Sequence, residues 1–122
     1  MKTMQSFKFG DEDLNSRLLA LLKKSHIKHS VDKQGVIHYP SGEADLVEND
    51  LLCSVRDAVF PRWQVLTCPP EWIESYKLYM RGHQIPFHEE LSNGKVWFLL
   101  PRRFRPHRWK LDLSAHADRI AV

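Results

Sequence analysis

The residues of this 122-residue chain with the means to do chemistry are seven histidines, two cysteines and fifteen carboxylates, and their spacing decides what they are suited to. His26 and His29 stand three apart, and His38 is placed to oppose them across a hairpin. That spacing straddles a helix end, and no acid or cysteine completes the three or four convergent ligands a zinc ion needs. His83 and His88 repeat the pattern more weakly. Neither Cys53 nor Cys68 sits in a context that lowers a thiol pKa, and no Gly-x-Ser-x-Gly elbow is present. Five glycines, none in a Gly-rich loop before a helix, leave no phosphate cradle. The paired carboxylates are a helix-start cluster, Asp11-Glu12-Asp13, and a strand surface pair, Glu89-Glu90. These residues point away from catalysis, and neither a metal nor another cofactor is expected.

Charge distribution offers two binding chemistries instead. Residues 1–101 carry 12 Lys/Arg and 13 Asp/Glu, a net −1, whereas residues 102–110 carry +5. The overall +3 therefore reports one short segment, Arg102-Arg103-Phe104-Arg105-Pro106-His107-Arg108-Trp109-Lys110. Arg102, Arg103, Arg105, Arg108 and Lys110, interleaved with aromatics, are candidate contacts for nucleic-acid phosphates and bases. Against this stands an acidic stretch in which Glu43, Asp45, Glu48, Asp50 and Asp57 outweigh Arg56. Such a carboxylate-rich face suits a basic partner and steers its association. Trp63 and Trp109 are the aromatic interface candidates, because tryptophan is enriched at binding hot spots. Trp72, Tyr76, Tyr79, Trp97 and Phe98 read as mostly core.

The elements that must position these residues form a pattern that recurs. Shifted by 58 positions, residues 11–32 fall on 69–90 without a gap, with Leu14 on Trp72, Leu18 on Tyr76, Leu21 on Tyr79, Leu22 on Met80 and Ile27 on Ile85. Each copy follows an alternating stretch (Phe7-Lys8-Phe9, then Gln64-Val65-Leu66). Each is followed by a glycine, an apolar run and a proline. Periodicity predicts a strand over residues 4–9, a helix opening at Asp11 and carrying the stripe Leu14, Leu18, Leu21, Leu22 and Ser25, and a hairpin of Ile27–Val31 with Val36–Tyr39. A connecting helix over 43–60 follows. Begun at Glu43, it would place Glu48 inside the apolar arc of Val47, Leu51, Leu52, Val55 and Val59. Asp45 as N-cap with Glu48 in a capping box is the expected repair. The second unit, 63–101, predicts a strand at 64–67, a helix from Pro69-Pro70-Glu71 to Gly82, and a hairpin of 85–91 with 95–100 about Ser92-Asn93-Gly94.

The fold class expected is α+β: two βαββ pseudo-repeats (4–40 and 63–101) joined by a helix, one mostly antiparallel six-stranded sheet about a pseudo-twofold axis, and helices packed on one face. The chain is expected to be a single domain, with a basic segment and tail at 102–122 of which Leu111–Val122 is loosely held. No apolar run reaches the roughly 20 residues of a membrane span. The opening residues lack a signal-peptide apolar region, and two cysteines are too few for a disulfide framework. The expected location is the cytoplasm, with no membrane partner.

With the acidic 43–57 helix and the paired Leu14–Gly35 and Trp72–Gly94 patterns, this small α+β domain resembles bacterial toxin immunity proteins, including those of contact-dependent growth inhibition systems. The resemblance is one of architecture and matches no motif position by position. It implies a tight, cofactor-free binder that blocks a toxin's active site. Immunity proteins against nucleases are often markedly acidic, and Arg102–Lys110 departs from that. The competing expectations are a small nucleic-acid-binding or regulatory protein using the basic segment, and a ligand-binding domain with a cleft between its halves.

Overall fold

The structure, a computed structural model, describes residues 3–104. Its first strand, β1 (Met4–Phe9), alternates so that Phe7 and Phe9 are buried on one side. Helix α1 (Glu12–Lys24) starts where Asp11 accepts the backbone N–H groups of Asp13 and Leu14 at 2.9 and 3.2 Å. This satisfies two amides that the first turn cannot. Leu14, Leu18 and Leu22 are its buried stripe, and Lys23 and Lys24 lie at the negative end of its dipole. The helix ends with His26 at φ +57° and the Ile27 N–H returning 3.0 Å to the Leu22 carbonyl. That is a Schellman-type closure.

A short β2 (Ser30–Val31) and β3 (Ile37–Pro40) form the first hairpin. The expected first strand of this hairpin is thus cut to two residues, because the capping turn leaves Ile27 buried beneath α1 and only Ser30 and Val31 free to pair. A 3-10 turn (Ser41–Glu43) then leads into a continuous helix, α2, over residues 44–59.

Helix α2 corrects the expected capping box. Its N-cap is Glu43, without a side-chain bond, and Asp45 lies inside the helix. The conflict over Glu48 is resolved by a π-helical turn, Val47–Leu51. One extra residue in a turn rotates everything after it by about 100°. Val47, Leu51, Leu52 and Val55 thereby share the buried side, while Glu48, Asn49 and Asp50 stay exposed.

In the second half, β4 (Trp63–Thr67) precedes a 3-10 turn (Pro70–Trp72) and α3 (Ile73–Gly82). Gln84 at φ +55° closes α3, with the Ile85 N–H donating to the Met80 carbonyl at 2.8 Å. These positions lie 58 beyond His26, Ile27 and Leu22, so the offset joins residues with the same closure geometry. The second hairpin is β5 (His88–Ser92) and β6 (Lys95–Pro101). Its tight turn has Asn93 and Gly94 at φ +49° and +81°, as a type I′ turn demands.

All six strands join one antiparallel sheet in the order β2-β3-β1-β5-β6-β4, as an α+β reading requires. The helices do not share a face of it. Cross-strand neighbours lie on the same side of a sheet. Phe9 therefore shares a face with Glu90, Trp97 and Thr67, and Phe98 and Leu100 point the other way. Helices α1 and α2 cover Phe7, Phe9, Ile37 and Tyr39 on the first face, and α3 covers Phe98 and Leu100 on the second. The reason is handedness. The crossovers β1-α1-β2 and β4-α3-β5 progress across the sheet in the same sense, but their strands run oppositely. Right-handed connections then place their helices on opposite sides.

Candidate functional site

Because α3 lies behind the sheet, among the described residues the front of β4, β5 and β6 is covered by the flank of α2. Between them runs a groove of about 470 Å³, with Phe7, Leu52, Val65 and Trp97 among its apolar walls and Glu48, Asn49, Cys53, Arg56, Trp63, Glu90 and Ser92 around them. The π turn places Glu48 and Asn49 at its mouth. Turns of this kind recur at functional sites.

The base of the groove is an ion pair. Glu90 on β5, expected on the strand surface, is instead 2% exposed, and Arg56 on α2 meets it with two parallel bonds, Nε to Oε2 at 2.9 Å and Nη2 to Oε1 at 2.6 Å. A fork of this geometry fixes direction as well as distance. The same guanidinium lies 5.1 Å from the Trp63 ring centroid, within cation–π range. Trp63 Nε1 in turn donates to Asp57 Oδ1 at 2.6 Å. The chain Glu90–Arg56–Trp63–Asp57 thus holds one indole at the groove wall, and Trp97 on β6, the cross-strand neighbour of Glu90, supplies the second.

Of the acidic residues read from the sequence, Glu48 lines the groove and Asp57 anchors its tryptophan. Glu43, Asp45 and Asp50 are exposed and do not line it. Trp63 is half-buried in the groove wall. Trp109, Arg105, Arg108 and Lys110 lie outside the described residues. Two residues were misread or missed. Trp97, expected in the core, is half-buried on the groove side; the alternation Val96-Trp97-Phe98-Leu99 already separates it from Phe98. Arg62 joins the basic residues: the Arg102 N–H donates to its carbonyl at 2.9 Å. The repeated Pro-Arg at residues 61–62 and 101–102 was the available signal.

Arg62, Arg102 and Arg103 surround a hollow of about 420 Å³ with Phe60, Pro61 and Pro101. It lies just past the C-terminal end of α2, whose dipole favours cations there. Arg103 stacks over Phe104, with Cζ 4.7 Å from the ring centroid.

His29 and His38 serve local structure. His29 Nδ1 is 2.7 Å from the Ile27 carbonyl, and His38 Nε2 is 3.0 Å from Asp32 Oδ2. The His38 bond, with the Val36 and Gln34 amides, holds the Asp32 carboxyl below its ordinary range against a small opposing effect of burial. Among the described residues no three His, Cys, Asp or Glu side chains gather as metal ligands. Burial, helped by the Glu71 charge, pushes the Cys68 thiol up, away from a reactive thiolate. No helix among the described residues is long and apolar enough to cross a membrane. No protein-family model matches this chain, and no curated protein or solved structure matches it either.

Proposed function

We propose that this chain is a non-enzymatic protein-binding domain, and specifically an immunity protein that neutralises a bacterial toxin in the cytoplasm by covering its active site. The observation that carries the reading is the groove, where two half-buried tryptophans stand beside Glu48 and Asp57 on a sheet face tied down by the Arg56–Glu90 pair. Rigid indoles flanked by carboxylates suit a partner that inserts an apolar anchor and a cation. Arg56, Glu90 and Asp57 hold the groove's shape, while Glu48 stays exposed at its mouth for a partner's cation. Occlusion with charge complementarity is the mechanism this favours. The second reading, nucleic-acid binding, draws support from Arg62 standing with Arg102 and Arg103.

The test is to capture partners on the tagged chain from nuclease-treated lysate at low and moderate salt, then assay the captured protein's activity with stoichiometric chain added back. Inhibition that Trp63→Ala with Trp97→Ala weakens by about tenfold or more supports the proposal. Retention of nothing but nucleic acid in an untreated sample, lost as salt rises, would overturn it in favour of the second reading.

A further inference from the structure

The groove and the arginine hollow are not separate features. Trp63, in the groove wall, pairs in register with Pro101, in the wall of the hollow. Arg62 follows Phe60 and Pro61 and directly precedes Trp63, so four consecutive residues pass from one cavity to the other. Along α2 the surface therefore changes sign: Glu48 at the groove mouth, Asp57 bonded to Trp63 near its far end, then Arg62, Arg102 and Arg103 beyond the helix. All three arginines are exposed, and none has a carboxylate within ion-pair distance among the described residues.

We propose that groove and hollow form one docking strip for a protein partner that carries both signs, a lysine or arginine entering the groove and an aspartate or glutamate seated on the Arg62–Arg102–Arg103 hollow. This rests on the protein-binding reading and specifies its partner. Charge complementarity selects a protein over a nucleic acid. A phosphate backbone has one sign throughout, so the same strand that satisfies the arginines is repelled by Asp57 and Glu48 along the strip. A protein surface can alternate. The guanidiniums add geometry, since their planar forks match a carboxylate bidentately.

The experiment uses the full chain and fluorescence anisotropy at low ionic strength with four probes: hexalysine, hexaaspartate, a peptide joining three lysines to three aspartates through a Gly/Ser linker, and oligothymidylate. The mixed peptide is expected to bind about tenfold tighter than either single-sign peptide. Replacing the three arginines (Arg62→Gln, Arg102→Gln, Arg103→Gln) is expected to abolish that advantage and weaken hexaaspartate binding without weakening hexalysine, whose binding tightens as positive charge is removed. If the triple variant melts early, Arg103→Glu alone is the substitute, because its side chain is exposed and stacks on Phe104. An arginine variant that binds the mixed peptide as the parent does overturns this inference and leaves the groove reading standing. Glu48→Gln with Asp57→Asn leaving every peptide unchanged overturns the protein-binding reading itself. Oligothymidylate binding tighter than the mixed peptide overturns the choice of a protein partner.

Discussion

Tyr39 shows how a single buried group reports on its surroundings. It is 2% exposed in the cluster beneath α1 and α2, and burial, with the Glu48 carboxylate adding to it, pushes its hydroxyl from the ordinary 10.0 up to about 12. The protonated phenol is the form the fold accepts. Because the folded pKa is raised, this contribution is complete below pH 10 and is lost as pH climbs towards 12, where the unfolded chain ionises and the folded one does not. A difference of that size corresponds to roughly 2–3 kcal/mol. Urea midpoints measured from pH 9 to 12 should fall across this window for the parent chain and fall less for Tyr39→Phe. Tyrosinate absorbance in the native protein should lag behind that of the unfolded chain over the same range. Equal slopes for the two proteins would mean Tyr39 is not the group responsible. Glu48 thus acts twice, at the groove mouth and on the titration of a core phenol.

At the scale of elements, the turn between β5 and β6 does more than reverse the chain. Asn93 Oδ1 accepts the Ser6 N–H at 2.9 Å, its backbone N–H donates to the Ser6 carbonyl at 3.0 Å, and its Nδ2 donates to Gln5 Oε1 at 2.6 Å. The turn of the second half is bonded to the first strand of the first. Asn93→Ala should therefore cost about 2–3 kcal/mol, from a strained φ together with two side-chain bonds. Gly94→Ala, with open space at its Cβ but φ at +81°, should cost only about 1 kcal/mol. Urea unfolding of both variants checks the ranking; a reversed order would mean the cross-half bonds contribute little. The I′ turn, the Asp11 cap and the leucine stripe of α1 were legible in the chain because each is decided within a few residues. The start of α2 was not. Glu48 conflicts with its neighbours in any regular helix, and a capping box or a π turn both relieve the conflict. Burial of Val47 and Leu51 in one cluster with Phe7 and Tyr39 selects the π turn. For the same reason the five acids of 43–57 looked like one face, whereas the extra residue sends Glu48 to the groove and leaves Glu43, Asp45 and Asp50 elsewhere on the surface.

The whole molecule is a sheet with two cores on opposite faces, and that arrangement was beyond periodicity, which says which residues are buried but not on which side of a sheet a helix returns. It creates the groove, since among the described residues the face opposite α3 is covered by the edge of α2, and it also creates a seam. The halves meet along three β1–β5 pairs: Phe7 with Ser92, Lys8 with Leu91 and Phe9 with Glu90. They meet again in the Arg56–Glu90 fork, where a helix of the first core grips a strand of the second. Breaking a buried pair by removing one partner leaves the other charge unpaired, at a cost of about 3–5 kcal/mol, whereas replacing both by apolar groups is often neutral. Glu90→Gln should therefore destabilise strongly, and Arg56→Met with Glu90→Leu should recover most of the loss. The distribution of that loss over the molecule is the sharper measurement. If the fork couples the two cores, Glu90→Gln should lower amide-exchange protection around Phe98 and Met80 on the back face as well as around Leu52 and Val55 beside Arg56. It should also weaken binding of a groove ligand, because Trp63 loses the guanidinium over its ring when Arg56 is released. Protection lost only around Leu52 and Val55, with the back face unchanged, would mean that each core opens on its own and that the β1–β5 strand pairs, not the ion pair, hold the halves together.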